Sequence, residues 1–292
     1  MTTEGSLDPQ SRAGALPARI ALGTMHGKER ALAPAFDRLS IRLIVPAGLD
    51  TDRFGTFSAE TPRQGDMEQA ARAKIEAAME ATGLPVGLAS EGAYGPHPAV
   101  PFMAAGLEIL LWRVADTGQE IIERLGDDRP TYDHAEVVDP DQAVPLLQRV
   151  GFPETAVIVA PALALDRPLA KGVRTMPELA AAIAAACKAS PVGKAMVQTD
   201  MRAHMNPRRM TMIARLGLRL AERLACRCDD CGAAGWGRLG TVPGLPCDWC
   251  GGPSPLIAHE VHGCTACGTT RPVPRPDGKT TADPGQCPAC NP

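Results

Sequence analysis

The sequence is poor in aromatic residues and has no long apolar run. Phe, Trp and Tyr make up 3% of its 292 residues, so the core must depend on Ala, Leu, Val and Ile. No run approaches the roughly 18 apolar residues of a membrane-spanning helix, and no signal peptide is apparent. The formal net charge of −3 gives no global attraction to nucleic acid or membrane. These absences favour a soluble globular protein, which we expect to be cytoplasmic.

Cysteine is absent from the first 186 residues and concentrated near the end. Cys187 stands alone in a helical stretch, and the other nine fall between Cys226 and Cys290. This change of composition marks a domain boundary. We predict a disordered leader at 1–16, rich in Gly, Ser, Thr and Pro, followed by an α/β domain at 17–225 and a zinc-ribbon domain at 226–292.

Eight of the clustered cysteines form four C-x-x-C pairs. Fifteen residues separate the first pair from the second, and nineteen separate the third from the fourth. Two such pairs joined by a loop of this length are typical of a tetrahedral zinc site. We therefore predict two structural zinc ions, the first held by the first and second pairs and the second by the third and fourth. The predicted ligands are Cys228, Cys231, Cys247, Cys250, Cys264, Cys267, Cys287 and Cys290.

Disulfides are the alternative for these cysteines, but nothing marks the chain as secreted. Cys226, His259 and His262 are left over by this assignment. From Cys226 onward five basic residues face six acidic ones, a net of 5 − 6 = −1. Binding to a phosphate backbone requires an excess of Lys and Arg. A structural or protein-contact role therefore suits this domain better than nucleic-acid binding.

Strands and helices alternate over residues 17–225, which predicts an α/β fold with a layered mixed sheet flanked by helices. Helix starts are marked by local capping signals: Asp66 with Gln69, Thr175 with Glu178, and Asn206 before Pro207. Pro34 lies inside the first predicted helix and is expected to kink or divide it.

The segment VGLASEGAYGPHP, residues 86–98, predicts a buried strand that stops at Ala89. Glu91 then follows the carboxyl end of this strand, where open α/β sheets bind their ligands. We interpret Glu91 as a candidate catalytic residue. A solvated turn glutamate is the alternative.

The segment TDMRAHMNPRRM, residues 199–210, concentrates polar side chains after another predicted strand. Asp200 ends that strand, and Arg202, His204 and Asn206 follow at alternate positions. Such groups are unfavourable to bury unless they are paired or used. A metal-binding carboxylate with phosphate-contacting arginines is the functional interpretation, and a polar helix-capping turn is the alternative.

The helix predicted after this turn carries arginines on one face. Arg208, Arg215, Arg219 and Arg223 are spaced by seven, four and four residues. Such a stripe is most often a solvated face, and anion or nucleic-acid binding is the alternative.

Four segments together resemble a family of uncharacterised bacterial proteins with a C-terminal cysteine-rich ribbon. They are GTMHGKE, the A-R-A-K helix, ASEGAYGPHP and TDMRAHMNPRRM. This resemblance covers nearly the whole chain and implies no particular activity.

The first hundred residues are also similar to house-cleaning nucleotide pyrophosphatases of the inosine triphosphatase type. Leu22–Glu29 resembles their strand and T-x-N-x-x-K turn, Glu68–Lys74 their acidic helix, and Ala89–Gly92 their acid-Ser-Gly strand end. This similarity implies that Lys28 and Lys74 contact phosphate oxygens and that Glu91 binds magnesium.

The remaining members of the implied site come from the same segments and from the polar turn. Asp200 or Glu60 would complete the magnesium site, and Lys28 and Asp200 join Glu91 as catalytic residues. The predicted substrate contacts are Thr24, His26, Arg72, Lys74, Arg202, His204, Asn206 and Arg208.

Three functional hypotheses follow. The first is a magnesium-dependent phosphohydrolase acting on a nucleotide or a related small phosphate ester. The second is a non-catalytic protein that binds an anion or a protein partner. The third is a nucleic-acid-binding protein that uses the arginine-rich helix. The P-loop pattern is absent, which excludes a Walker-type NTPase.

Overall fold

The computed structural model describes residues 15–55, 65–97 and 99–292. The chain divides into two compact units: one spans Pro17–Ala221, and the other contains Glu222–Pro292. We call them the α/β unit and the cysteine-rich unit. Nearly all of the predicted leader, and Glu60, lie outside the described residues. Within those ranges, no helix combines the length and the apolar character needed to cross a membrane.

The helices and strands of the described residues are numbered in chain order. The helices are α1 (Glu29–Asp37), α2 (Met67–Thr82), α3 (Val144–Val150), α4 (Met176–Ala189) and α5 (Pro207–Ala225). The strands of the α/β unit are β1 (Arg19–Leu22), β2 (Arg42–Ile44), β3 (Val86–His97), β4 (Val100–Val114), β5 (Glu120–Asp127), β6 (His134–Val137), β7 (Val157–Pro161), β8 (Ala170–Val173) and β9 (Ala195–Thr199). Those of the cysteine-rich unit are β10 (Gly237–Pro243), β11 (Ile257–Gly263) and β12 (Thr270–Pro274).

The predicted α/β class with a mixed sheet is confirmed, and the strands of the α/β unit form two sheets. The first has the order β2-β1-β3-β4-β5, in which β1 is parallel to both neighbours and β4 and β5 join antiparallel. The second has the order β6-β9-β7-β8 and is antiparallel throughout. Only eight residues join β7 to β8, too few for the helical crossover that a parallel pair requires.

The predicted end of β3 at Ala89 is wrong, because the strand continues to His97. Its residues pair one for one with β4 from Val86 opposite Val114 to Pro96 opposite Ala104. Glu91 therefore lies within a strand and not in a turn. Pro96 lies in a part of β3 that has a partner strand on one side only, and such edge positions tolerate proline.

Helix α2 packs on one face of the first sheet. Ala71 and Ile75 of the helix form a buried cluster with Ala89, Ile109 and Leu111 of the strands. The contact is close, because a Cβ on Gly23 would lie 2.6 Å from the backbone oxygen of Lys74. The absent side chain thus lets α2 carry Lys74 up to the end of β1.

Local capping signals were accurate predictors of helix ends. Asp66 and Gln69 form a reciprocal capping box at the start of α2, and Gly83 ends that helix in the left-handed conformation. The Thr175 side chain accepts a hydrogen bond from the Glu178 backbone N–H at the start of α4. By contrast, Pro34 does not divide α1, which remains one helix.

Helix α5 begins where the sequence predicted. Asn206 is fully buried, and its Oδ1 accepts a hydrogen bond of 3.2 Å from the Arg209 backbone N–H. Pro207 occupies the first helical position, where no N–H is required. This start fixes the direction in which the side chain of Arg209 leaves the helix.

The four arginines of α5 do not share one environment. Arg215 and Arg219 are exposed, whereas Arg223 is buried. Arg208 binds both carboxylate oxygens of Asp127, through its Nε at 2.8 Å and through its NH2. They therefore do not form a continuous exposed stripe.

Candidate anion-binding pocket and metal centre

The candidate pocket lies where β1 ends and β3 continues. The Gly23 N–H donates to the Leu88 carbonyl at 2.9 Å, which is the last backbone contact of this ladder. Beyond it, the Lys28 Nζ donates to the Ser90 carbonyl at 2.8 Å. The lysine thus satisfies a strand edge that has no neighbouring strand, and its side chain is 6% exposed.

A small cavity of about 20 Å³ opens beside this lysine, and we call it the cationic pocket. It is lined by His26, Lys28, Asp52, Gly55, Lys74, Glu91, Arg202 and Arg209. A cavity of this size accommodates about one water-sized group. Lys28, Lys74 and Glu91, which the sequence analysis assigned to one site, therefore line the same cavity.

Glu91 and Lys74 form a buried ion pair on the α2 side of the pocket. The Lys74 Nζ contacts Glu91 Oε1, and the two side chains are 10% and 4% exposed. Removing either partner would leave the other as an uncompensated buried charge, which typically costs 3–5 kcal/mol. Glu91 is thus held by a cation rather than left open for a metal.

Arg209 lines the pocket, and the sequence analysis did not identify it as a candidate. Its Nε donates to Glu108 Oε1 at 2.6 Å, its NH1 donates to the Met201 carbonyl, and both charged side chains are at most 2% exposed. Tyr94 also donates to Glu108 Oε1 at 2.7 Å. The signal was Glu108 itself, because a single acid within the apolar strand LEILLWRV requires a buried cation.

His26 and Asp52 form a second polar pair of the pocket. The His26 Nε2 lies 3.0 Å from Asp52 Oδ1. Burial lowers the pKa of His26 to about 4, although Asp52 opposes this shift, so the imidazole is neutral at pH 7. Since a carboxylate only accepts, the Nε2–H must donate and Nδ1 is left as an acceptor. The His204 ring stacks on His26 at 4.9 Å.

Asp200 is turned away from the cavity by its own hydrogen bonds. Its fully buried carboxylate accepts from Arg202 Nε and NH2, the latter at 2.6 Å, and from the Gly172 backbone N–H at 3.1 Å. Arg202 lines the pocket, but Asp200 does not. Among the described residues, the carboxylates predicted to hold magnesium do not converge into a group of three metal ligands.

The other predicted substrate contacts lie beside or outside the cavity. Thr24 is buried and accepts a hydrogen bond from the His26 backbone. Arg72 binds Glu120 and Glu68, and it does not line the pocket. Asn206 and Arg208 also lie outside the lining, since one caps α5 and the other binds Asp127.

The eight clustered cysteines form two groups with the geometry of zinc sites. One contains Cys228, Cys231, Cys264 and Cys267, and the other contains Cys247, Cys250, Cys287 and Cys290. Sulfur–sulfur distances across the groups are 3.6–3.8 Å. A tetrahedral zinc with Zn–S bonds of 2.3 Å gives an edge of about 3.8 Å. None of the ten cysteines forms a disulfide in the structure.

The predicted pairing of neighbouring C-x-x-C motifs is wrong: the first pairs with the third, and the second with the fourth. The antiparallel sheet of the cysteine-rich unit explains this. Gly237 of β10 lies opposite Gly263 of β11, which brings the motif before β10 beside the motif after β11. Strand β12 then runs back to the opposite end, where Ala282 bridges to Cys247.

This pairing makes a prediction about zinc content. Replacing Cys231 and Cys264 together removes ligands of one site, whereas replacing Cys231 and Cys250 removes ligands of both. We expect wild-type protein to contain two zinc equivalents, C231S/C264S to contain one, and C231S/C250S to contain none. Elemental analysis of the purified proteins measures this. Pairing of neighbouring motifs would give the reverse order for the two double variants.

The buried Lys28 predicts a specific pH dependence of stability. Its pKa is lowered from 10.5 to about 8, chiefly by burial and also by Lys74 and Arg209, against the opposing effect of Glu91. Between pH 8 and 10.5 the unfolded chain therefore binds more protons than the folded one. The stability of the wild type relative to Lys28→Met should rise over this range by roughly 1 kcal/mol per pH unit.

The measurement is urea-induced unfolding of both proteins from pH 7.5 to 10.5, taken as a difference so that other titrations cancel. The exposed Lys188 on α4 provides the matched control. Lys188→Met should show a difference from the wild type that is independent of pH. A constant difference for Lys28→Met as well would contradict the lowered pKa.

Comparison with known proteins places the chain in one family. The model of a domain of unknown function, DUF6671, matches residues 74–292, or 219 of the 292 residues. The matched region includes Lys74, Glu91, Arg209 and the eight clustered cysteines, and Lys28 precedes it. No curated protein and no solved structure matches the chain, so no relative of the inosine triphosphatase type is shown. The chain belongs to the DUF6671 family.

Proposed function

We propose that the cationic pocket binds the phosphate group of a small phosphorylated ligand. The observation that carries this proposal is the convergence of Lys28, Lys74 and Arg209, all nearly inaccessible to solvent, on one cavity. Ammonium and guanidinium groups are the usual partners of phosphate oxygens. The cavity accommodates about one water-sized group, so it suits a single phosphate oxygen, while the rest of the phosphate group and of the ligand stays outside.

The buried side chains beside the cavity are rich in cations. Three cations, Lys28, Lys74 and Arg209, face two buried carboxylates, Glu91 and Glu108. The partly exposed Asp52 also lines the cavity and offsets the remaining charge from the solvent side. An anion bound beside Lys28 would favour its protonated form, because burial, and to a smaller extent Lys74 and Arg209, lower the pKa of this lysine.

A second function, hydrolysis of the bound phosphate compound, is favoured by the His26–Asp52 pair. With Nε2–H donated to Asp52, His26 Nδ1 is an acceptor that can orient water as a general base. The lysines and arginines would stabilise charge that develops on the phosphate oxygens. We assign this stabilisation of charge to the lysine and arginine side chains rather than to magnesium. The predicted magnesium ligands Glu91 and Asp200 are both paired with cations.

The binding test uses inorganic phosphate, pyrophosphate and a panel of nucleotides and sugar phosphates in calorimetric titrations. Lys28→Met removes one charged donor while keeping a side chain of similar size. We expect affinity for the best ligand to fall about tenfold to a hundredfold, since hydrogen bonds to charged groups contribute 1.5–3 kcal/mol. Lys188→Met is the matched control and should bind as the wild type does. The absence of binding to any phosphate compound would overturn the proposal.

The hydrolysis test measures release of phosphate and pyrophosphate separately from the same panel, with magnesium and with a chelator for magnesium. His26→Asn should retain binding but lose activity by about 10²–10⁴-fold, the usual contribution of a general base. Glu91→Gln tests the alternative role of this carboxylate as a magnesium ligand. Binding without any product release would leave a non-catalytic anion-binding protein, and activity unaffected by His26→Asn would remove that residue from the mechanism.

A further inference from the structure

Lys28 differs from the other cations that line the cationic pocket. Those cations each bind a carboxylate, in the pairs Lys74–Glu91, Arg209–Glu108 and Arg202–Asp200. Among the residues that the structure describes, Lys28 forms no ion pair, and its side chain makes one hydrogen bond, from Nζ to the Ser90 carbonyl at 2.8 Å. The carbonyl takes up one of the three N–H groups of an ammonium ion. The nitrogen therefore has room to bond to a group in the cavity that it lines.

The surroundings of Lys28 favour the uncharged form of its amine. Its side chain is 6% exposed. Burial, and to a smaller extent Lys74 and Arg209, lower its pKa to about 8, against the opposing effects of Glu91 and Glu108. An uncharged amine has a free electron pair and is a nucleophile, whereas an ammonium ion is not. Buried lysines beside other cations are the ones that proteins use to form imines with carbonyl compounds.

The cavity beside this amine limits the size of the carbonyl compound. It accommodates about one water-sized group. A formyl group contains one carbon more than this, but that carbon comes within bonding distance of Nζ, so only its oxygen needs free space. A ketone or a branched aldehyde would bring further carbons into the cavity. The cavity therefore selects an unbranched aldehyde whose chain stays outside.

We propose that Lys28 forms an imine with the formyl group of a small unbranched aldehyde. The inference goes beyond the proposed function, which assigns this lysine to phosphate binding only. It rests on the burial of Nζ, its single hydrogen bond and the cavity that it lines, and not on the binding of any phosphate compound.

The reaction requires no oxidant or reductant. The uncharged Nζ attacks the carbonyl carbon, and the carbonyl electron pair moves to the oxygen. A proton then passes from Nζ to this oxygen, and His26 Nδ1 is an acceptor in the same cavity that can relay it. A second proton, from solvent, converts the hydroxyl to water, which leaves as the nitrogen electron pair closes the C=N bond. The protonated imine carries the same charge as the ammonium ion and keeps one N–H for the Ser90 carbonyl.

The test treats the full chain with acetaldehyde and sodium cyanoborohydride at pH 7.5, in a buffer without amines or phosphate. Cyanoborohydride reduces an imine to a stable N-ethyl-lysine, which peptide mass spectrometry locates among the six lysines of the chain. The exposed Lys188 on α4 is the internal reference. Pivalaldehyde is the size control, because it offers the same formyl group on a branched carbon.

We expect acetaldehyde to label Lys28 at least about tenfold faster than Lys188. At pH 7.5 a pKa of about 8 leaves roughly a quarter of an amine uncharged, against about one part in a thousand at the ordinary value of 10.5. The lower basicity of Lys28 and its restricted access offset part of this advantage. Labelling of Lys28 should rise with pH and level off above about 8, and pivalaldehyde should label Lys188 but not Lys28.

Two results would overturn the inference. One is labelling of Lys28 by acetaldehyde no faster than that of Lys188. The other is equal preference of both aldehydes for Lys28, because the reaction would then take place in an opened state of the protein and not in the cavity.

Phosphate compounds separate this inference from the proposed function. If a compound that binds slows the labelling of Lys28 and not that of Lys188, both proposals are supported. If no phosphate compound binds and Lys28 is still labelled selectively, the imine site is supported and the phosphate proposal fails. If phosphate binds and Lys28 shows no selective labelling, the imine site alone is overturned.

Discussion

The hydrogen bond from Lys28 to the Ser90 carbonyl is the contact on which the candidate site depends. Strand β1 ends at Leu22, and β3 runs nine residues past Leu88, its last residue that is paired with β1. The edge of β3 is then unpaired on one side, and an unpaired buried carbonyl is unfavourable. Lys28 satisfies it and brings an ammonium group into the interior at the same time. The difference in strand length thus produces both the cavity and its first cation.

Once this ammonium group is buried, the surrounding charges follow as compensations. Glu91 approaches from the strand, Lys74 pairs with Glu91 from α2, and Arg209 pairs with Glu108 from α5. Each pair is held from a different element, so the arrangement is rigid before any ligand arrives. Preorganised cations of this kind bind an anion at a lower entropic cost than flexible surface side chains. The same rigidity makes magnesium coordination by Glu91 costly, since Lys74 would first have to be displaced.

How far the sequence predicted this arrangement depended on the range of each interaction. Caps such as Asp66 with Gln69 were predictable because both partners lie within one turn. The convergence of Lys28 and Glu91 was anticipated from strand ends and that of Lys74 from the family resemblance, yet β3 was predicted to stop too early, and Asp200 does not line the pocket. Glycine and proline at Gly95 and Pro96 usually indicate a turn, and only pairing with β4 shows that they lie in a strand.

Arg209 and the pairing of the cysteines were out of reach for a related reason. The pairing of Arg209 with Glu108 spans 101 positions in sequence, and nothing in the run NPRRM distinguishes Arg209 from Arg208. The cysteine motifs were identifiable as zinc ligands from their spacing alone. Their partners were not, because the pairing is fixed by the register of β10 on β11 rather than by the length of a loop.

The interleaved pairing has a consequence for how the cysteine-rich unit is stabilised. Within residues 226–292, all described, Leu245 and Ala282 are the only buried hydrophobic side chains besides four cysteines. A core of this size cannot offset the conformational entropy that the segment loses on folding. Metal binding must therefore supply most of the folding free energy. One site closes the chain between Cys228 and Cys267, and the other between Cys247 and Cys290. Since these loops overlap over residues 247–267, each metal restrains part of the chain that the other also closes, while its four ligands lie at its own end of the sheet.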